Sequence, residues 1–177
     1  DRGYIIVDDH CRTNIPGIFA VGDIIPTLQL AHVGFQEGIL VAETIAGLNP
    51  RPINYDGVPR VTYSEPEVAS MGLTTKVAKE RGYDVVELDY NLAGNGKAQI
   101  LKTAGSIKLV AQKNGPILGI HMVGSRVGEL VSEAQLIFNW EASASDVAPL
   151  IHAHPTLSES MGEAHMALAG KPLHAHG

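Results

Sequence analysis

The clearest pattern in the chain lies at residues 30–47, LAHVGFQEGILVAETIAG, where apolar positions gather on one face and Gly47 stands where a C-terminal cap belongs. This segment is expected to be a helix. Before it, the apolar run GYIIVDD (3–9) is a strand candidate, TNIPG (13–17) a turn, and IFAVGD (18–23) a buried strand ending in Gly-Asp. Residues 49–59, NPRPINYDGVP, carry three prolines and two asparagines and form the clearest linker. A domain boundary is therefore expected there, dividing the chain into 1–50 and 51–177.

The pattern changes after the linker. A strand is expected to run to about Tyr63, with Pro66 turning the chain. LTTKVAKERG (73–82) reads as a helix with a threonine cap and a closing Gly82. YDVVELDYNL (83–92) alternates like a half-buried strand, and GNGK (94–97) reads as a turn. GSIKLVAQKNGPILGIHMVG (105–124) predicts a hairpin around Asn-Gly. Residues 126–141 form an amphipathic helix. A shorter helix over 143–151 is capped by Ser143 or Ser145, and a last helix spans 157–170. Strands grouped as hairpins, with helices following, predict an α+β fold: an antiparallel sheet with flanking helices. Residues 1–50 offer two strands and a helix, too little for a domain of its own, and read as the returning end of a larger one.

Composition narrows the function classes. The net charge of −6 and a pI near 5.7 argue against a nucleic-acid surface or a basic membrane patch. No run of 18 apolar residues occurs, so no membrane span is expected, and DRGYIIVDDH has neither the basic nor the small-residue flank of a signal peptide. The single cysteine, Cys11, excludes an internal disulfide and a dithiol pair within this chain. No basic cluster flanks it, so a structural thiol is expected, and cysteine poverty suits a cytoplasmic location. There is no internal repeat.

The chemistry concentrates in HAHPTLSE (152–159). Pro155 is expected to hold His154 extended just outside a helix N-terminus, with Pro155 in the first turn and Glu159 one turn inside. A carboxylate on one imidazole nitrogen selects a tautomer and leaves the other as a general base. Thr156 and Glu159 equally fit the T-x-x-E capping box, which requires no catalysis, and on the residues alone the cap is the stronger reading. A metal clip from His152, His154 and His165, or from His174 and His176, matches no zinc spacing, and no metal is expected.

Three stretches, in order, resemble the flavin-dependent pyridine nucleotide-disulfide oxidoreductases, class I. TNIPGIFAVGDIIPTLQLAH (13–32) is similar to that family's second FAD-contact motif, YSEPEVASMG (63–72) to the start of its C-terminal dimerisation domain, and HAHPTLSE to its H-P-T-x-S-E segment. The HAHPT form is most like the members that oxidise dihydrolipoamide. The resemblance implies that Asp23 holds the flavin ribityl hydroxyls and that Gln29, Leu30, Ala31 and His32 present backbone N–H groups to the flavin pyrimidine. It implies that His154 is the acid–base residue and Glu159 its orienting partner, and that His152 has a packing or interface role. It further implies FAD and NAD in the whole enzyme, a homodimer whose active sites span the interface, and dihydrolipoamide on an acyltransferase or carrier protein as partner. Neither nucleic acid nor membrane is an expected partner.

The family's N-terminal Gly-rich FAD loop, its redox cysteine pair and its NAD-binding domain have no counterpart here, and GNG at 94–96 lacks the strand–loop–helix context of such a loop. The expectation is therefore the end of an FAD-binding domain plus an interface domain, inactive and without retained cofactor when alone. The alternatives are a stand-alone dimerisation module, or part of another flavin disulfide reductase acting on glutathione or mercury. The apolar residues Leu130, Val131, Leu136, Ile137, Phe138 and Trp140 supply either core or dimer contacts.

Overall fold

The computed structural model describes residues 2–174, and the chain divides into two compact units, Asp1–Tyr55 and Asp56–Gly177. In the first unit one helix, α1 (Ala31–Ile45), follows a single 3-10 turn at Gly22–Ile24. Helix α1 ends because Gly47 adopts φ +74°, which lets Leu48 N–H reach Glu43 O (3.0 Å) and Gly47 N–H reach Thr44 O (3.1 Å). Cys11, Ala20, Ile25 and Leu40 form a small core.

The strands expected over 3–9 and 18–23 are not there. A strand needs a hydrogen-bonded neighbour along its length. Here the extended segments make only an isolated bridge between Arg12 and Phe19 and scattered bonds such as Ile5 N–H to Ile24 O (2.9 Å). Nor is 18–23 buried throughout: Ile18 and Val21 are exposed.

The second unit is built on a five-stranded antiparallel sheet of order β1-β2-β5-β4-β3: β1 (Arg60–Thr62), β2 (Glu67–Gly72), β3 (Val85–Asn91), β4 (Gly105–Gln112) and β5 (Ile117–Gly124). Strand β2 was not expected from sequence. After the cis Glu65–Pro66 bond the chain does not merely turn but returns as a strand along β5, with Val68 opposite Val123 and Ser70 opposite His121. The Asn-Gly hairpin forms, with Asn114 at φ +57°.

The helices of this unit are α2 (Thr75–Glu80), α3 (Gly96–Leu101), α4 (Val127–Asn139), α5 (Ala144–Val147) and α6 (Glu159–Leu168). On one sheet face Met71, Leu109, Ile120 and Met122 pack with Val127, Leu130, Val131, Ala134 and Ile137 of α4 and with Met161 and Ala164 of α6. The other face carries Leu73, Val110 and Leu118 with Ala78 of α2. Of the apolar residues singled out near α4, Leu130, Val131 and Ile137 are core, whereas Leu136 and Trp140 stand 48% and 75% exposed.

Caps fix where these helices start. Thr74 Oγ1 accepts Val77 N–H at the start of α2, and Ser143 forms a capping box with Asp146 at α5. Helix α4 has no cap of its own, and Glu67 Oε2 on β2 accepts Gly128 N–H instead (2.8 Å). Helix α3 replaces the turn expected at 94–97, because Asn95 caps it: Asn95 Oδ1 accepts Ala98 N–H at 2.9 Å. Among the described residues no helix is long and apolar enough to cross a membrane.

Candidate functional site

The segment between α5 and α6 holds HAHPTLSE. Helix α6 begins at Glu159, later than expected, so Pro155, which follows a cis bond from His154, lies ahead of the helix and not in its first turn. What organises this loop is Thr156. Its N–H donates to Glu159 Oε2 (2.7 Å), its Oγ1 accepts Glu159 N–H (3.3 Å), and its hydroxyl donates to Ala153 O (2.6 Å). The reciprocal Thr156–Glu159 pair is the capping-box exchange. The second oxygen of the same carboxylate remains, and Oε1 meets His154 Nδ1 at 2.9 Å. Cap and dyad are thus one arrangement, with one oxygen assigned to each task.

This geometry sets the protonation pattern. Burial pushes the Glu159 carboxyl up, but the Thr156 N–H, the His154 ring bond and the neighbouring imidazole charges outweigh it and hold the group below its ordinary value. Glu159 is therefore ionised at neutral pH and can only accept, so Nδ1 carries the hydrogen, and in the neutral imidazole Nε2 carries the lone pair. The His154 side chain is 76% exposed against 23% for Glu159. Among the described residues Nε2 has no partner, so a proton-bearing substrate atom has open access to it.

His152, His165 and His174 are separately engaged. His152 Nε2 lies 2.7 Å from Glu133 Oε1 of α4, and a Cβ at Gly162 would come within 2.7 Å of His152 Nδ1, so the ring is wedged between α4 and α6. His165 is fully buried with Nδ1 2.6 Å from Met161 O. His174 Nδ1 lies 2.8 Å from Glu163 Oε1, and His176 lies outside the described residues. No group of three metal-ligating side chains occurs among the described residues.

In the first unit, Asp23 lies exposed in the 3-10 turn. Gln29 Nε2 donates to Asp23 O (3.4 Å) and to Tyr4 Oη (3.0 Å), tying the turn to the entry of α1. Leu30 is the N-cap and offers no side-chain cap; Ala31 and His32 lie exposed in the first turn. Holding this region from beneath is Glu37, fully buried on α1, whose Oε2 accepts Gly22 N–H (2.6 Å) and whose Oε1 accepts the hydroxyls of Thr27 (2.8 Å) and Tyr55 (3.0 Å). Sequence reading passed over Glu37, although a lone carboxylate among Val33, Leu40 and Val41 on the apolar face of a helix is a signal. It likewise gives no role to Glu133, and to Asn95 only that of a turn residue. Burial, with the charges of Glu37 and Asp8, pushes the Cys11 thiol up to about 11, so it is no thiolate nucleophile at neutral pH.

An antiparallel sheet backed by helices, carrying a carboxylate-held imidazole on the loop before its last helix, defines a class. Residues 58–165 match the family model of the pyridine nucleotide-disulphide oxidoreductase dimerisation domain, and residues 1–38 match that of the pyridine nucleotide-disulphide oxidoreductases. The chain belongs to this family. Among its relatives, the dihydrolipoyl dehydrogenase of Bacillus subtilis is 44% identical over 176 residues, 98% of this chain and 37% of that protein. That of Geobacillus stearothermophilus is 42% identical over 176 residues, again 98% and 37%. The solved structure of LpdA from Mycobacterium tuberculosis superposes with a TM-score of 0.87 at 25% identity, covering 93% of this chain and 36% of that one. The chain thus spans little more than a third of the length of the curated relatives it matches.

Proposed function

We propose that this chain supplies the interface domain and the acid–base dyad of a dihydrolipoyl dehydrogenase, the enzyme that oxidises protein-bound dihydrolipoamide with NAD as acceptor. The observation that carries the reading is the 2.9 Å contact between His154 Nδ1 and a Glu159 carboxylate whose other oxygen is held by Thr156 N–H. Nε2 of His154 takes the proton of a substrate thiol as the thiolate attacks a disulfide, and Glu159 stabilises the imidazolium that results. FAD, when bound, supplies the electron-accepting chemistry that connects such a dithiol to NAD.

The first unit fits part of a flavin site. Asp23 is an exposed carboxylate suited to accept from sugar hydroxyls, and the uncapped start of α1, from Gln29 and Leu30 to Ala31 and His32, turns its positive end outward. No residue of this chain is assigned to NAD. The proposal includes a homodimer through the second unit, a carrier-borne dihydrolipoamide partner and a cytoplasmic location. Because Cys11 is the single cysteine and stays protonated, the chain by itself is expected to form no NADH from dihydrolipoamide, even with added FAD.

The test is His154→Ala in the full-length enzyme that carries this chain, with NADH formation from dihydrolipoamide as the readout. Turnover should fall roughly 10²–10⁴-fold, the usual cost of losing a positioned acid–base group. Near-normal turnover refutes the assignment.

A further inference from the structure

We propose that Asn95 is a positioning residue for the His154–Glu159 dyad, an inference that rests on the acid–base role given to His154 above. Asn95 is 4% exposed, and its carboxamide makes two different bonds. Oδ1 accepts Ala98 N–H (2.9 Å) and so caps α3. Nδ2 donates to Thr156 O (3.0 Å), across 61 residues of sequence. Capping needs an acceptor only; the donor has no part in it.

The residue Asn95 grips is the one that organises the dyad. Thr156 holds Glu159 from the other side through its N–H and Oγ1 (2.7 and 3.3 Å), and Glu159 Oε1 holds the imidazole (2.9 Å). The chain of contacts runs Asn95 to Thr156 to Glu159 to His154. The start of α3 also backs the ring directly, since a Cβ at Gly96 would lie 3.7 Å from His154 Cε1. His154 itself is largely exposed, so its orientation depends on these few groups and not on burial. A carboxylate free to swing off the ring loses the in-line arrangement that proton transfer needs, and misplacement on the ångström scale costs up to about 10²-fold in rate.

Two variants of the full-length enzyme separate grip from cap. Asn95→Ser and Asn95→Asp both retain a good capping oxygen and both remove the Nδ2 donor. Each should lower kcat with dihydrolipoamide about tenfold and change the pH–rate profile of the thiol-dependent step. In a His154→Ala background the same substitutions should cause no further loss, because the group that Asn95 positions is already gone. Asn95→Asp sets a carboxylate oxygen near Thr156 O; if that variant does not fold, Asn95→Ser carries the test, and the reverse holds equally. Turnover within twofold of wild type, or a loss equally large in the His154→Ala background, overturns the proposal. Normal turnover of His154→Ala alone would overturn the reading of the dyad as well, so the two failures are distinguishable.

Discussion

His165 lies on the inner face of α6 with no exposed surface. Burial pulls its imidazole down from 6.5 to about 4; the Met161 carbonyl opposes this and the charge of His152 adds to it. Nδ1 bonds to Met161 O, and Nε2 is buried with no hydrogen-bond partner among the described residues. The folded chain therefore keeps this ring neutral while the unfolded chain protonates it below 6.5. The unfolded state then binds the extra proton, so stability falls with acidification from about 6.5 and levels off below about 4. At about 1.36 kcal/mol per pH unit, the loss from this one group reaches about 2 kcal/mol by pH ~5 and about 3 kcal/mol by pH ~4. Urea unfolding of the chain across that range, compared with His165→Gln, isolates the effect, since every other group is common to both proteins. At neutral pH the variant should be less stable by about 1–2 kcal/mol through imperfect filling of the site. The gap should close on acidification and reverse by pH ~4. Stability curves that stay parallel within about 0.5 kcal/mol would refute the buried neutral imidazole.

Two other perturbations test the frame around the sites. Glu37→Gln removes the charge and leaves one carbonyl oxygen for three donors: with that oxygen on Gly22 N–H, the amide N–H₂ faces the Thr27 and Tyr55 hydroxyls, which must turn from donating to accepting, and the first unit should lose about 1–2 kcal/mol in denaturant unfolding. Unchanged stability would show that the carboxylate is not the keystone of that turn. Gly119→Ala drives a Cβ into Leu73 O, a backbone atom that cannot swing aside, and a loss of about 2–3 kcal/mol is expected in thermal or urea melts.

Several elements were legible because their causes are local. A helix over 30–47 and another over 126–141 follow from apolar positions one turn apart, and the hairpin from Asn114-Gly115 between alternating strands. The Thr156–Glu159 exchange spans three residues and could be read from T-x-x-E. Its union with the dyad is also short-range, since His154 and Glu159 are five apart.

Where partners lie far apart in sequence, tertiary structure decided. Strand β2 exists because β5, about fifty residues on, offers it a ladder in the order β1-β2-β5-β4-β3. The apolar runs at 3–9 and 18–23 are rich in β-branched residues but find no such ladder among the described residues, and they form no strand. Asn95 reads from sequence only as part of a turn, and only the fold brings its Nδ2 to Thr156 O, 61 positions away. Glu133 reaches His152 only because α4 and α6 pack on the same sheet face. Period and capping depend on neighbours within about one helical turn, so the sequence alone determined most helices, the hairpin and the Thr156–Glu159 cap. Which strands pair, which carboxylates are buried and what grips the loop that carries His154 depend on contacts that only the folded sheet brings together.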